Sequence, residues 1–383
     1  MSSEDLSAPD VAIATPAADK SLAEVAAALR DSHASGQSVS IAGAGTKATW
    51  GGPARPTDVV LSTAGLSGVV EYAPGDLVVT VRAGTPLADL QGELAEHNHW
   101  LALDPPEAAA TVGGIVATAA SGPHRLRFGT PRDQLIGITV ALADGTVAKS
   151  GGKVVKNVAG YDLGKLFTGS FGTLGVIVQA TFKLQPRPPA RRVVTVEAPE
   201  PGAAAKAIAG STVAPVAAEW DGSRVHVLLQ AAATAIEGMA MQLAAALGTT
   251  EIGERLPAAF GSRPWAPGEI ALKVTHRLSA LDAVVAGVRH TLPGARFSAH
   301  VGSGVIWCGW RAPKAADVGA VIGELRALAA SYDGTVVVVD APAAVKTEVD
   351  AWGPVAAVDM MHRVKDQFDP DHRLNPGRFV DGI

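Results

Sequence analysis

"SIAGAGTKATWGG", residues 40 to 52, runs a short apolar strand straight into glycine and other small residues. Gly43, Ala44, Gly45, Thr46, Lys47 and Ala48 fit G-x-G-x-x-A, the dinucleotide fingerprint of a doubly wound parallel sheet. That fingerprint works only where a helix follows, because the helix N-terminus offers free N–H groups and a dipole to the pyrophosphate. Here Thr49-Trp50-Gly51-Gly52-Pro53 follows, a run that cannot start a helix of useful length. The stretch therefore points to a different fold, in which consecutive N–H groups of a tight glycine turn form an anion nest without a helix. A plain turn between strands is the competing reading.

Outward from this loop the order is β-rich with helices between, an α+β pattern. Helical spacing covers 22–29, and short strands are expected at 38–42, 59–61, 68–72 and 77–81. Gly84-Thr85-Pro86 is expected to open a helix through Glu96, with Thr85 as N-cap and Pro86 as the first helical residue. Residues 134–149 read as a hairpin turning at Asp144-Gly145, and 175–184 as a further strand. Gln185-Pro186-Arg187-Pro188-Pro189 forbids regular pairing and marks a domain boundary. Beyond it, strands (193–196, 225–229) alternate with helices (203–209, 234–247), which suggests one small sheet covered by helices. A helix is expected at 355–367, before the turns that Asp-Pro and Asn-Pro-Gly force in "FDPDHRLNPGRF", residues 368–379. The expected division is a mobile leader at 1–20, a first domain at 21–187, a second at 188–350 and a C-terminal segment at 351–383.

The 383 residues are 48% hydrophobic and 18% charged, enough for two or three packed units. A net charge of -5 gives no bulk field for nucleic acid or an anionic membrane. The single cysteine, Cys308, excludes an intrachain disulfide, leaves too few thiolates for an iron–sulfur cluster and fits a reducing, cytoplasmic compartment. Residues 1–20 lack the basic start and apolar core of a secretion signal, and no apolar run approaches the roughly 20 residues of a membrane span.

Two more loops are rich in small residues. In "DPPEAAATVGGIVATAASGPHRLRFGTPRD", residues 104–133, Thr111-Val112-Gly113-Gly114 opens an Ala-rich helix that Ser121-Gly122-Pro123 ends, leaving four N-terminal N–H groups for whatever precedes it. Tight packing of that helix on a sheet is the other reading. "GGKVVKNVAGYDLGKLFTGSFGTLGVI", residues 151–177, is no P-loop, since Leu166 follows Gly164-Lys165 where Ser or Thr is needed. Gly172-Thr173-Leu174-Gly175 reads as a tight turn into a strand against which a flat ligand can lie. The glycines of this stretch are expected to serve close ligand approach at several separated places.

In this order and at these separations the loops resemble the FAD-binding domain of the vanillyl-alcohol-oxidase and p-cresol-methylhydroxylase type. "VVKNVAGYDLGKLFTGSFGTLGVI" is similar to the FAD-binding E subunits of bacterial glycolate oxidase, a resemblance that covers about residues 20–187 and the C-terminal "FDPDHRLNPGRF". It implies an α+β chain: a two-part FAD-binding domain, a smaller α+β cap domain and a C-terminal segment returning to the FAD domain. It implies FAD contacts from Gly43, Ala44, Gly45, Thr46 and Lys47, and from Pro105, Thr111, Val112, Gly113, Gly114, Ala117, Thr118, Ser121 and Gly122. Gly175, Val176 and Ile177 would face the adenine side. Arg378 would neutralise a flavin phosphate or a substrate carboxylate, with surface pairing as the alternative. No histidine lies between His33 and His97, so FAD is expected to be held non-covalently.

Related D-2-hydroxy-acid dehydrogenases carry H-x-G-D-G-N-x-H, often on a metal. Here His300-Val301-Gly302-Ser303-Gly304-Val305-Ile306-Trp307 keeps only the first histidine, too little for a metal. His300 stays a candidate base for a substrate hydroxyl, beside the reading of a structural histidine. Tyr161 and Asp162 are expected to shape the pocket or the fold, and His362 and His372 carry no special signal. The resemblance implies an FAD-binding subunit of a glycolate oxidase or dehydrogenase complex, oxidising glycolate or D-lactate with a catalytic flavoprotein D subunit and an iron–sulfur F subunit. It would reach the inner face of the plasma membrane only through those partners. A self-sufficient FAD-dependent D-2-hydroxy-acid dehydrogenase and a flavin-free structural subunit are the alternatives.

Overall fold

The computed structural model describes residues 13–14, 21–152, 162–313 and 317–383. The expected leader lies outside this set except for Ile13–Ala14, and Asn157, Gly160 and Tyr161 lie outside it too.

A helix, Leu22–Ala34, begins at Ser21, whose hydroxyl accepts the Glu24 N–H while the Glu24 carboxylate accepts the Ser21 N–H at 2.6 Å. This reciprocal cap fixes the helix start and leaves Val25, Ala26 and Leu29 to be buried. Strands β1 (Ile13–Ala14), β2 (Val39–Ala42) and β3 (Val59–Ser62) form a parallel sheet in the order β1-β3-β2. The chain continues through β4 (Val69–Ala73), β5 (Val78–Arg82), the short β6 (His99–Trp100), β7 (Leu135–Ala141), β8 (Val147–Gly151), β9 (Val176–Lys183) and β10 (Gln185–Pro186). Five of these make an antiparallel sheet, β4-β5-β9-β7-β8. A register shift opposite Thr139 and Val140 lets β9 serve two cores. Val176 and Val178 pack on the first helix, while Ala180 and Phe182 pack under the helices Leu87–Ala95 and Val112–Thr118.

Three local expectations change. Thr85 does not cap a helix: Pro86 is the N-cap, without a side-chain bond, and the Thr85 hydroxyl accepts the Gly68 N–H at 2.9 Å and donates to the Arg82 carbonyl at 2.8 Å. The helix expected to run to Ala120 stops at Thr118, on Ala119 in the left-handed region (φ 49°), before Ser121-Gly122-Pro123 is reached. Gln185–Pro186 does pair, antiparallel with His99–Trp100, because an edge position spares proline the missing donor.

The second unit holds β11 (Ala190–Glu197), β12 (Ala217–Trp220), β13 (Arg224–Ala231), β14 (Glu251–Gly253), β15 (Ile270–Thr275), β16 (Arg296–His300), β17 (Val305–Trp310) and β18 (Val336–Asp340). They form one antiparallel sheet, β14-β11-β13-β12-β16-β17-β15-β18, so the expected small sheet is the largest among the described residues. Helices Gly202–Gly210, Ile236–Leu247, Leu281–Thr291 and Val318–Ala330 cover one face through Trp220, Leu243, Val288, Ile306 and Leu325. The other face meets the first unit, where Val305, Trp307 and Val339 pack with Trp50, Ala120 and Phe171. After the helix Val358–Phe368 the chain returns to the first sheet, with Leu374 buried beside Val39.

Candidate functional site

β2 delivers residues 43–47 to the edge of a cavity of about 320 Å³. Among the described residues, the N–H groups of Gly43, Ala44, Gly45, Thr46 and Lys47 donate to no protein acceptor. Residues 46–49 form a turn and no helix follows, as the sequence requires. A Cβ on Gly43 would stand 2.4 Å from the Thr111 hydroxyl, so only glycine lets this loop close on the second one. Gly45 sits at φ 72° beside open space.

The cavity is lined by Gly43, Ala44, Gly45, Thr46, Lys47, Thr111, Gly113, Gly114, Ala117, Thr118, Gly175, Ile177 and Arg378. Of the other residues singled out, Val112 and Val176 face the core, and Pro105, Ser121 and Gly122 lie in loops outside the lining. Gly122 donates its N–H to Asp104 at 3.0 Å. The expected free helix N-terminus is not there. Its first N–H groups go to the Thr85 carbonyl (2.9 Å), the Ala83 carbonyl (2.7 Å) and the Thr111 hydroxyl (3.4 Å). Of the glycines at 151–177, Gly172 and Gly175 line the cavity, whereas Gly151 answers to the backbone of Ile136.

Sequence reading missed Ile41, Thr63 and Phe171 in the lining, since nothing in a strand or turn residue marks it as facing a ligand. Arg378 donates to the carbonyls of Lys47 (2.8 Å) and Trp50 (3.1 Å), and among the described residues its buried Nε has no partner. Burial pulls its guanidinium below the usual arginine value.

From Lys47 the site continues into the second unit. The Lys47 ammonium meets Glu107 at 3.0 Å, and the other oxygen of Glu107 meets Arg263 Nε at 3.2 Å. The Arg263 guanidinium lies 4.1 Å from the Trp307 ring centre and 5.4 Å from that of Trp50. Register places Lys273, Trp307 and Ser298 side by side across β15, β17 and β16, and Glu219 opposite His300 across β12 and β16. His300 is 3% exposed, its ring 6.2 Å from that of Trp307, and among the described residues its Nδ1 has no partner. Trp307 Nε1 and Arg263 Nη2 are likewise buried and unpaired.

Arg125 and Lys273 complete this chamber, and among the described residues neither has a carboxylate within 4 Å. Burial, then Arg125 and Arg263, brings Lys273 down to about 8. Burial, then Arg263, Arg125 and Lys273, holds His300 well below the ordinary imidazole value, so it is neutral at pH 7. Glu219 accepts bonds from Ser298 and the Gly261 N–H, yet burial pushes its carboxyl up to about 7.

Among the described residues no three His, Cys, Asp or Glu side chains are grouped to hold a metal ion, and no helix is long and apolar enough to cross a membrane. His362 and His372 pair at the surface with Asp381 (2.9 Å) and Asp366 (2.7 Å). Asp162 caps the helix Leu163–Phe167 by accepting the Lys165 N–H, away from the cavity lining.

Residues 16–151 match the family model of the FAD binding domain. Glycolate oxidase subunit GlcE of Escherichia coli (strain K12) is 40% identical over 150 residues, 39% of this chain and 42% of that protein. Glycolate oxidase subunit GlcD of Bacillus subtilis (strain 168) is 33% identical over 153 residues, 40% of this chain and 33% of that protein. D-lactate dehydrogenase of Archaeoglobus fulgidus is 35% identical over 164 residues, 43% of this chain and 37% of that protein. The chain thus matches less than half the length of these curated relatives. A solved alkyldihydroxyacetonephosphate synthase superposes with a TM-score of 0.68 over 92% of this chain and 75% of its own, at 14% identity, a likeness of fold.

FAD is the cofactor of this domain, and the cavity suits it. Free N–H groups at 43–47 and the Arg378 guanidinium would suit a pyrophosphate, and Ile41, Ala117, Phe171 and Ile177 give apolar walls.

Proposed function

We propose that this chain, whose residues 16–151 are of the FAD binding domain family, is a flavoprotein subunit oxidising a small 2-hydroxy acid, glycolate or D-lactate, to the 2-oxo acid. The observation that carries this reading is the group of cations around His300: among the described residues Arg125 and Lys273 have no carboxylate within 4 Å, Asp104 and Asp133 acting on Arg125 only from further away, and Arg263 has a free Nη2. Cations in such a place are costly unless an anion joins them, and a substrate carboxylate is an anion of fitting size.

FAD, when bound, supplies the acceptor for the hydride of the CH–OH carbon. Arg125 and Lys273 hold the carboxylate, Trp307 walls out water, and the free Nδ1 of His300 receives the hydroxyl proton. The same cations oppose a proton on His300. A bound carboxylate offsets them, so the substrate itself strengthens the base.

In this reading the second unit is the cap of the FAD domain and the C-terminal segment closes it. FAD is held without a covalent bond by the residues lining the cavity. Electrons pass through the flavin to an iron–sulfur subunit of a complex that also holds a catalytic flavoprotein, in the cytoplasm or at the inner membrane face; the subunit names of two relatives favour such a complex. The test is anaerobic addition of glycolate or D-lactate to the FAD-loaded chain, alone and with partner subunits. The visible flavin bands should bleach in wild type and resist bleaching in Lys273→Met. Bands that stay oxidised with every short 2-hydroxy acid in both settings overturn the reading.

A further inference from the structure

We propose that Lys365 and Asp369, buried in the helix Val358–Phe368, are positioning residues of the FAD cavity, holding its Gly172 wall against its Asn375 wall. The inference rests on FAD occupying that cavity.

The two side chains are 1% and 0% exposed and lie 2.6 Å apart. Stability alone gives no reason for such a pair, because well-packed apolar residues in its place are often neutral or stabilising. What apolar residues cannot do is bind backbone. Lys365 Nζ donates to the carbonyls of Thr173 (2.7 Å) and Leu374 (3.3 Å) as well as to Asp369, which uses all its donors. The same Asp369 oxygen accepts the Leu374 N–H at 2.8 Å. Thr173 follows Gly172, and Leu374 precedes Asn375; both neighbours line the cavity.

The two walls meet without slack. Asn375 donates to the Phe171 carbonyl at 2.6 Å and accepts the Ile41 N–H at 2.8 Å. A Cβ on Gly172 would stand 2.6 Å from Asn375 Nδ2. Losing the ammonium removes the Thr173 tie and leaves the turn joined to the tail through the Asn375–Phe171 bond, so the wall made by Phe171 and Gly172 can shift relative to the loop at 43–47 that Ile41 feeds.

FAD affinity of the full chain, followed by flavin fluorescence, tests this in wild type, Lys365→Met, Asp369→Asn and Leu243→Ala. Leu243 is fully buried among helices of the second unit, so its truncation destabilises the protein away from the cavity. Lys365→Met should raise the Kd at least tenfold, and Asp369→Asn by less, since the amide oxygen still accepts from Lys365 or Leu374. Leu243→Ala should stay within twofold of wild type despite a lower melting temperature. A Lys365→Met protein that binds FAD within twofold of wild type overturns the proposal, whereas a wild type that binds none overturns the FAD reading. Should Lys365→Met not fold, hydrogen exchange of the wild type decides: FAD should slow the amides at 172–176 and 374–375, and unchanged rates there refute the role.

Discussion

Lys273 sits in β15 between Leu272 and Val274, which turn to the helices, and its own side chain lies on the opposite face beside Trp307. Its ammonium, brought down to about 8, is less favourable folded than unfolded, where it titrates near 10.5. The cost is present below pH 8 and is relieved as pH rises from about 8 toward 10.5. Lys273→Met should therefore stabilise the fold at pH 7 by about 1–3 kcal/mol in urea melts while weakening carboxylate binding at least tenfold. Glu219 has the converse sign. Its carboxyl titrates near 7 when folded and near 4.5 when unfolded, so stability is full below pH 4.5 and is lost as pH rises through about 7. Glu219→Gln should match wild type at pH 4 and exceed it at pH 8, by at most about 3 kcal/mol. Equal urea midpoints at pH 8 would refute the assignment.

At the scale of elements, the sequence was most legible where chemistry is local. The hairpin β7–β8 turns at Gly145 with φ 80°, because Asp-Gly leaves the chain few other choices. The loop at 43–47 was legible through its missing helix as much as its glycines. β12 was not: Ala217, Ala218, Glu219 and Trp220 are all buried, so no alternation marks a strand. The chamber around His300 escaped too, since Arg125, Arg263 and Lys273 come from separate segments that only the sheet face brings together. Ala119 shows a local rule overridden by packing. It ends its helix in the left-handed region, which costs an L-residue roughly 1–2 kcal/mol, so Ala119→Gly should stabilise by about 0.5–1 kcal/mol after glycine's greater entropy loss. Thermal melts check this. The two loop glycines should also part company. Gly45→Ala meets no protein atom and costs the free protein about 1 kcal/mol of backbone strain, its methyl facing the cavity, whereas Gly43→Ala drives a methyl into Thr111 and should weaken FAD binding at least tenfold.

For the whole molecule, the boundary at 187 separates two sheets but not two self-sufficient bodies. The C-terminal segment completes the first unit. Val39 donates to the Arg373 carbonyl and accepts from the Asn375 N–H, both at 2.8 Å. Arg373 donates to the carbonyls of Gln37 (3.1 Å) and Ala143 (3.0 Å), and Leu374 is fully buried among Val25, Leu29 and Val176. The second unit also reaches the cofactor loop, where Lys346 donates to the Thr49 carbonyl and Asp340 accepts the Thr49 hydroxyl at 2.7 Å. A fragment ending at 187 would leave the N–H groups of Val39 and Ile41 and the carbonyls of Ala143, Phe171 and Thr173 without these partners, at about 1–3 kcal/mol for each that stays buried. Several such losses rival the 5–15 kcal/mol by which a domain is stable. Residues 21–187 alone should show no cooperative urea transition and no quenching of FAD fluorescence. Adding a peptide of residues 351–383 should restore part of both, because it returns Lys365, Arg373, Leu374 and Asn375 to the first sheet. A fragment that folds and binds FAD as tightly as the full chain would show that the tail merely covers the domain rather than completing it.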